Sequence, residues 1–106
     1  MKLTLTVLTV AATLFASSAS AFDPDDLQKL KDTGECAECN LRYANLEGTA
    51  LKRANLFGAN LGGANLIDAN LDGAYLEDAN LLWANMQGAI LCNTTMPDGS
   101  VIYSGC

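Results

Sequence analysis

The sequence predicts an all-β solenoid with a short α-helix covering its N-terminal end. The main observation is a five-residue beat: every fifth residue from Leu41 to Leu91 is Leu, except Met86, and Ala usually stands two positions earlier. A second observation is that the two positions after each Leu often hold Gly or a polar residue, as tight turns require. A third is a pair of helix-start signals at Asp23 and Pro24, just before the repeats.

The five-residue period excludes both regular secondary structures. In an α-helix, which advances about 100° per residue, successive leucines would lie about 140° apart and face every direction. In a flat strand side chains alternate, so an odd spacing would send successive leucines to opposite faces. A chain that turns a corner once per repeat satisfies the pattern. We therefore expect each Leu, and the Ala two before it, to point into a shared interior.

The repeats run from Cys39-Asn40-Leu41 through Ala64-Asn65-Leu66 to Ala89-Ile90-Leu91. This pattern resembles the pentapeptide-repeat family, whose consensus is A-(D/N)-L-x-x, and the match covers Cys39 to Asn93. The resemblance implies a right-handed quadrilateral β-helix with four repeats per coil and about three coils. A few positions leave the consensus without breaking the apolar beat: Thr49, Ala50, Tyr75, Met86 and Ile90.

Residues 1–21 are similar to a secretory signal peptide. Lys2 supplies the positive start, Leu3–Leu14 the apolar stretch, and Ala19-Ser20-Ala21 a small-residue cleavage site. The apolar stretch is shorter than the roughly 20 residues that span a membrane. We expect cleavage before Phe22 and export to the periplasm, the thylakoid lumen or the extracellular space. An uncleaved anchor is the alternative.

The cleaved chain would be small and acidic. It would keep 12 acidic and 5 basic residues, since Lys2 is lost, and would carry a net charge of −7. Because the sequence has no His, it offers no imidazole that titrates near neutral pH. We expect no nucleic-acid partner, no membrane contact after cleavage, and a monomer or a weak dimer.

The solenoid itself is expected over residues 34–98, with a cover at each end. An open solenoid end exposes unpaired backbone and apolar side chains. A capping helix is predicted over residues 22–33, with Asp23 as its N-cap, and residues 99–106 should form a final strand and a tail tied by a disulfide. The five-residue register also reaches Val101 and Cys106, which predicts that the coil continues beyond the clean repeats.

Four cysteines in an exported chain predict two disulfides, with three possible pairings. We favour Cys36 with Cys39 and Cys92 with Cys106, because each pair sits at one end of the solenoid and closes a short loop. The alternatives are a redox-active C-x-x-C or half of a zinc site at Cys36 and Cys39. A redox motif belongs on a βαβ unit, and the other two cysteines lack the spacing of a zinc partner. No metal or cofactor is expected.

If one coil holds twenty residues, Tyr43, Gly63, Trp83 and Tyr103 form one outward column. The aromatic members, Tyr43, Trp83 and Tyr103, are the candidate binding surface, because exposed aromatic side chains are enriched at interfaces. The alternatives are that the tail covers Trp83 or that the rings pack along the sheet.

The other columns predict polar contacts at the surface that have no catalytic role. Lys52 and Asp72 should form a surface ion pair. Glu77 and Asp78 share a convex corner with no cleft to shift their pKa values, so we interpret them as a solvated acidic face and not as catalytic residues. The Asn residues before the leucines should form ladder or turn hydrogen bonds.

Three functions follow from these features, and the first is preferred. It is a non-enzymatic structural or interaction module that binds an unidentified protein. The second is a DNA mimic of the kind that occupies gyrase, which the resemblance and the acidity suggest. Size argues against a DNA mimic, because about three coils at ~4.8 Å give a rod near 15 Å, which is less than half of a ~34 Å turn of DNA. The third is a redox protein acting through Cys36 and Cys39.

Overall fold

The structure, a computed structural model, describes residues 21–106. The predicted signal peptide lies outside these residues, except for Ala21. Three regular elements occur in the described part: helix α1 (Pro24–Thr33), strand β1 (Leu91–Thr95) and strand β2 (Val101–Ser104). Between α1 and β1 the chain consists of repeated five-residue turns and short bridges. No helix within residues 21–106 combines the length and apolarity needed to cross a membrane.

Helix α1 begins and ends at the predicted signals. The Asp23 side chain caps the helix by accepting the N–H of Asp25 at 2.8 Å, and Pro24 occupies the first turn, where a backbone donor is dispensable. Gly34 ends the helix in the left-handed conformation, with φ of 75°, and donates its N–H to Leu30 O. Leu30 is buried, so the helix lays its apolar side on the first repeats.

The repeats are joined by parallel bridges between residues twenty positions apart. The N–H of Leu41 donates to Asn60 O at 2.8 Å, and the N–H of Asn60 donates to Cys39 O at 2.8 Å. This spacing is constant, so the chain returns beside itself after every four repeats; we call each twenty-residue stretch a coil. The bridged pairs are Glu35–Asn55, Asn40–Asn60, Asn45–Asn65, Ala50–Asn70, Asn55–Tyr75, Asn60–Asn80, Asn65–Asn85, Asn70–Ile90 and Tyr75–Thr95.

Each corner is a turn that starts at the repeat's Leu. The N–H of Ala64 donates back to Leu61 O at 3.0 Å, and Gly63, the second of the two residues between them, has φ of 68°. A positive φ at this position is the requirement of a type II turn. The side chain of Asn60 supports the same corner, since its Oδ1 accepts the N–H of Gly62 at 3.1 Å. The predicted role of the Asn residues in turns is confirmed.

The core is the stack of leucines and alanines that the beat predicts. From Leu41 to Leu76 every beat Leu is buried, with an exposed fraction of 2% or less. The position two before each Leu from Leu46 to Leu81 is buried as well wherever Ala occupies it, from Ala44 to Ala79. The inward assignment is therefore confirmed for the first two coils. From Leu81 onward the beat residues, and from Ala84 onward the alanines before them, are only half-buried, whereas Thr94, two before Met96, is fully buried.

The tail corrects one prediction. Strand β2 runs antiparallel to β1, with Tyr103 opposite Cys92 and Val101 opposite Thr95. The five-residue register therefore does not continue through Val101 and Cys106. The chain reverses at a tight turn in which the N–H of Gly99 donates to Met96 O and Gly99 has φ of 86°, a conformation that glycine adopts without strain.

Candidate functional site

Two of the predicted surface residues share one corner of the coil. Tyr43, Gly63 and Trp83 all have positive φ, at 59°, 68° and 67°. The N–H of Tyr43 donates to Gly62 O at 2.9 Å, and that of Gly63 donates to Leu82 O at 2.8 Å. This ladder puts Tyr43 and Trp83 in one column, two ladder steps or about 10 Å apart along the axis.

Gly63 makes room for the ring of Tyr43. A Cβ on Gly63 would lie 2.4 Å from Cε1 of that ring, so the ring leans over the next coil. The Arg42 guanidinium lies 5.2 Å from the Tyr43 ring centroid on the same corner. The positive-φ residues that lie twenty positions apart form four corner columns, and in each of them a larger residue alternates with glycine, because a side chain in one coil occupies the space beside the next coil. The columns are Glu38-Gly58-Asp78, Tyr43-Gly63-Trp83, Gly48-Asp68-Gly88 and Arg53-Gly73-Asn93.

Trp83 is the most exposed large apolar side chain in the described part of the protein, at 82%. Its neighbour Leu82 is 62% exposed, and Tyr43 is 60% exposed. The tail pairs with Leu91–Thr95 and leaves Trp83 uncovered. We call Tyr43, Leu82 and Trp83 the aromatic corner. Clustered exposed apolar side chains mark an interaction site more often than isolated ones.

Tyr103 does not belong to this surface, which corrects the predicted column. Because β2 is antiparallel to β1, Tyr103 lies opposite Cys92 and not one step beyond Trp83. Its side chain is 69% exposed. An aromatic contact that the sequence did not predict lies elsewhere, where Phe57 stacks on Tyr75 with ring centroids 6.0 Å apart. These residues are not twenty apart, so the column argument could not find them.

Both disulfides of the structure have the pairing that the sequence analysis favoured. Cys36 is bonded to Cys39, and Cys92 to Cys106. Cys36 and Cys39 are buried, and Sγ of Cys36 lies 3.2 Å from the carbonyl oxygen of Asp26 beneath helix α1. A thiolate cannot attack a sulfur that it cannot reach. Residues 21–106 also contain no cluster of three metal-ligating side chains.

The ionisable side chains form small surface contacts. Lys52 Nζ lies 3.8 Å from Asp72 Oδ2, which confirms the predicted ion pair. A hydrogen bond to Glu77 raises the pKa of Tyr75. Hydrogen bonds from the hydroxyl and N–H of Ser100 lower the pKa of Asp98 in the tail turn. None of these groups is buried, so none has the water-excluded setting of a catalytic group.

Two sides of the last coil are left uncovered. Its repeats centre on Leu81, Met86, Leu91 and Met96, all half-buried. The tail covers the side of Leu91 and closes on Met96, whose N–H donates to Ser100 O at 2.7 Å. The sides at residues 79–83 and 84–88 have no such cover among residues 21–106. We call the outer backbone of residues 79–88 the open edge.

Comparison with known proteins identifies the repeats. A sequence model of the family described as pentapeptide repeats matches residues 35–71 and 54–93, with eight copies. The two matches together span more than half of the chain. A search of curated proteins found no match.

Solved structures of pentapeptide-repeat proteins are also similar. HetL, described as involved in heterocyst differentiation regulation in the cyanobacterium Nostoc sp. strain PCC 7120, is 35% identical over 64% of this chain, with a TM-score of 0.44. A protein of the Arabidopsis thaliana thylakoid lumen is 30% identical over 67%, with a TM-score of 0.41. Rfr23 of the cyanobacterium Cyanothece 51142 is 36% identical over 52%, with a TM-score of 0.33. The matched parts are 36%, 55% and 48% of those chains, respectively.

Proposed function

This chain belongs to the pentapeptide-repeat family, and from that premise we propose that it is a non-enzymatic interaction module that binds another protein. The family's repeats imply a right-handed β-helix. We propose its quadrilateral form, with about three coils over residues 34–98 and α1 as the cap. The constant spacing of twenty residues between bridged pairs supports four sides per coil.

We further propose that the module works outside the cytosol. Residues 1–21 would act as a cleaved signal peptide, and the destination would be the periplasm, the thylakoid lumen or the extracellular space. Two disulfides support this proposal, because such bonds form and persist in oxidising compartments and are rare in the cytosol.

The observation that carries the proposed function is the exposure of Trp83. Complete burial of such a side chain would contribute roughly 1.5–3 kcal/mol or more, yet 82% of its surface is exposed and the tail does not cover it. Leu82 and Tyr43 extend the apolar surface along the same corner. Tyrosine and tryptophan are the residues that most often anchor protein interfaces. The aromatic corner is therefore our proposed binding surface.

The structure offers less support for the two alternatives. A redox role would need an accessible sulfur, and both Cys36 and Cys39 are buried. A DNA mimic would need regularly spaced anionic groups along the coil. The outward positions that repeat most regularly carry neutral amides instead, in columns such as Asn40, Asn60 and Asn80.

The test is capture of partner proteins from the native compartment with two matched variants. Trp83→Ala removes the anchor of the aromatic corner, whereas Tyr103→Ala removes another exposed aromatic side chain from a different side. A protein captured by the wild type and by Tyr103→Ala, but at least about tenfold less by Trp83→Ala, supports the proposal. Equal capture by all three chains would remove the aromatic corner as the binding surface.

A further inference from the structure

We propose that the protein partner docks through an extended segment that pairs with residues 79–83 of the open edge, placing glycine beside Trp83 and an aliphatic residue two positions earlier. We call this segment of the partner the added rung. The inference rests on the proposed function, because it names the part of the partner that the aromatic corner receives. It goes further by assigning the segment's direction, its charge and two of its residues.

Residues 79–83 present three backbone groups with which a further strand can pair. Within the described residues 21–106, the N–H groups of Leu81 and Trp83 and the carbonyl of Ala79 have no backbone partner. They stand at alternate positions, so all three face the open side, as successive groups along the edge of a strand do. Such a row is a template for another chain, in which backbone hydrogen bonds provide affinity and side chains provide selectivity.

The same face of the solenoid shows how an added rung would be held. Residues 39–43 are covered by residues 60–63, which run parallel to them. The N–H of Asn60 donates to Cys39 O at 2.8 Å, and the carbonyl of Asn60 accepts the N–H of Leu41 at 2.8 Å. The three free groups of the open edge occupy the equivalent positions two coils later. A parallel segment of four residues can therefore satisfy all of them.

The corner column determines which residue can lie beside Trp83. A Cβ on Gly63 would lie 2.4 Å from Cε1 of the Tyr43 ring, which is closer than side chains approach, so the residue that follows an aromatic in this column must lack one. The φ of 68° at Gly63 is also a conformation that glycine adopts without strain. Trp83 is larger than Tyr43 and holds the equivalent position, with φ of 67°. The added rung therefore needs glycine at its corner.

An aliphatic side chain two positions before that glycine would extend the core. Leu61 stands two positions before Gly63 and is fully buried. Leu81 points to the same axis one coil later but is only half-buried. The equivalent side chain of the added rung would lie over Leu81 and remove apolar surface from water.

The added rung should carry no charge. Residues 79–97 contain no charged side chain, although residues 22–78 carry 11 of the 12 acidic residues of the chain. A charged residue docked on residues 79–83 would lose hydration and find no opposite charge there to compensate for it. The partner segment is thus defined as neutral and extended, with the sequence aliphatic, any residue, glycine.

This chain does not itself supply such a segment in a free form. Segments of the same type inside the solenoid, such as residues 60–63, are held by the coils on either side. Residues 1–20 contain no glycine, and the tail is already paired with β1. The occupant that fits residues 79–83 is therefore a segment of another protein.

The experiment titrates the isotope-labelled chain with two capped peptides and follows its amide resonances. The chain is expressed with its N-terminal segment in an exporting host and studied as recovered. One peptide, acetyl-Asn-Leu-Gly-Gly-Ala-amide, repeats the sequence of residues 60–63. The matched control has valine in place of the second glycine. Both peptides are neutral, so they differ only at the residue that would lie beside Trp83.

We expect the glycine peptide to bind with a dissociation constant in the millimolar range, because few contacts must offset the ordering of a flexible peptide. The amides of Leu81 and Trp83 should shift and gain protection from exchange, while those of helix α1 stay unchanged. The valine peptide should bind at least about tenfold more weakly. In Trp83→Ala, which alters an exposed side chain, this ratio should fall, whereas Tyr103→Ala should keep it.

Three results would overturn the proposal. The first is equal binding of the two peptides, or no shift of the Leu81 and Trp83 amides at the highest soluble concentration. The second is a ratio that Trp83→Ala leaves unchanged. The third is a shift of the same amides when the chain alone is concentrated, which would identify a second copy as the occupant.

The peptide titration and the capture of partner proteins distinguish this inference from the proposed function. Capture that depends on Trp83, without binding of the glycine peptide to residues 79–83, would overturn the added rung and leave the proposed function intact. Binding of the glycine peptide without any captured protein would support the preference of the open edge and count against the proposed function.

Discussion

The two ends of the solenoid are built from the same repeat but differ in how they are closed. At the N-terminal end helix α1 covers the core, and Leu30, Cys36 and Leu41 are buried to 2% exposure or less. At the C-terminal end the tail covers two sides of four, and Leu81 and Met86 are half-buried. The burial of a beat residue is therefore set by what lies above it and not by its identity. Stability should fall from the covered end towards the open one.

The largest expected difference between the covered and the open end comes from replacing an inward-pointing leucine by aspartate. Leu61→Asp would bury an unpaired carboxylate in a fully covered coil and should prevent folding, because no partner can offset its desolvation. Leu81→Asp changes the same side one coil later, where the carboxylate can reach water, and this variant should fold with a lower Tm. Circular dichroism during heating measures both. A folded Leu61→Asp with the wild-type Tm would refute the inward assignment.

Cavities in the two coils should also differ in cost. Leu66→Ala deletes a fully buried side chain and should reduce the free energy of unfolding by about 2–5 kcal/mol. Met86→Ala lies on the same side twenty residues later, where the side chain is half-buried, and should cost less than half as much. Urea denaturation compares the two variants directly. Equal losses would mean that the C-terminal end is as well covered as the middle of the solenoid.

Removal of each disulfide tests how much that bond contributes to closing its end of the solenoid. Replacing both Cys92 and Cys106 by Ala opens a 15-residue loop and should reduce the free energy of unfolding by about 3 kcal/mol. The amides of β2 should then lose their protection from hydrogen exchange. Replacing Cys36 and Cys39 by Ala opens a much shorter loop and should cost about 2 kcal/mol from the same relation. Denaturation with amide exchange measures both. Persistence of protected β2 amides without Cys92 and Cys106 would show that pairing alone holds the tail.

The smallest effect concerns the tail turn. The pKa of Asp98 is lowered by its hydrogen bonds from Ser100, so this contribution is present above the ordinary value of 3.8 and is lost as pH falls through the lowered value. Asp98→Asn should remove that pH dependence at the turn and leave α1 unaffected. A carbon-detected NMR titration of Asp98, with the Ser100 amide as reporter, checks it. A midpoint at or above 3.8 would contradict the assignment.

Much of this architecture was predictable because it depends on period and on local turn chemistry. The beat of Leu61 and its neighbours requires a corner every five residues, and Asn60 is a side chain that supports such a corner through its own amide oxygen. The helix start at Asp23 follows from equally local rules. The ion pair of Lys52 with Asp72 follows from the twenty-residue coil.

The errors fall where the outcome depends on distant parts of the chain. Val101 fits the beat, so Tyr103 was assigned to the column of Trp83, although a turn at Pro97-Asp98-Gly99 followed by a final strand is equally readable from the sequence and is what the antiparallel pairing of β2 with β1 shows. The half-burial of Leu81 likewise reflects the absence of a coil above it and not its own environment in the sequence. One signal was available and not used: residues 79–97 lack charge, which marks the open end.

Amide hydrogen exchange on the dilute monomer tests the twenty-residue ladder and its open end most directly. The N–H groups of Leu61 and Leu66, each bonded to a carbonyl one coil later, should exchange at rates set by global unfolding. Those of Leu81 and Met86 should exchange orders of magnitude faster. Equal rates at all four positions would contradict the account.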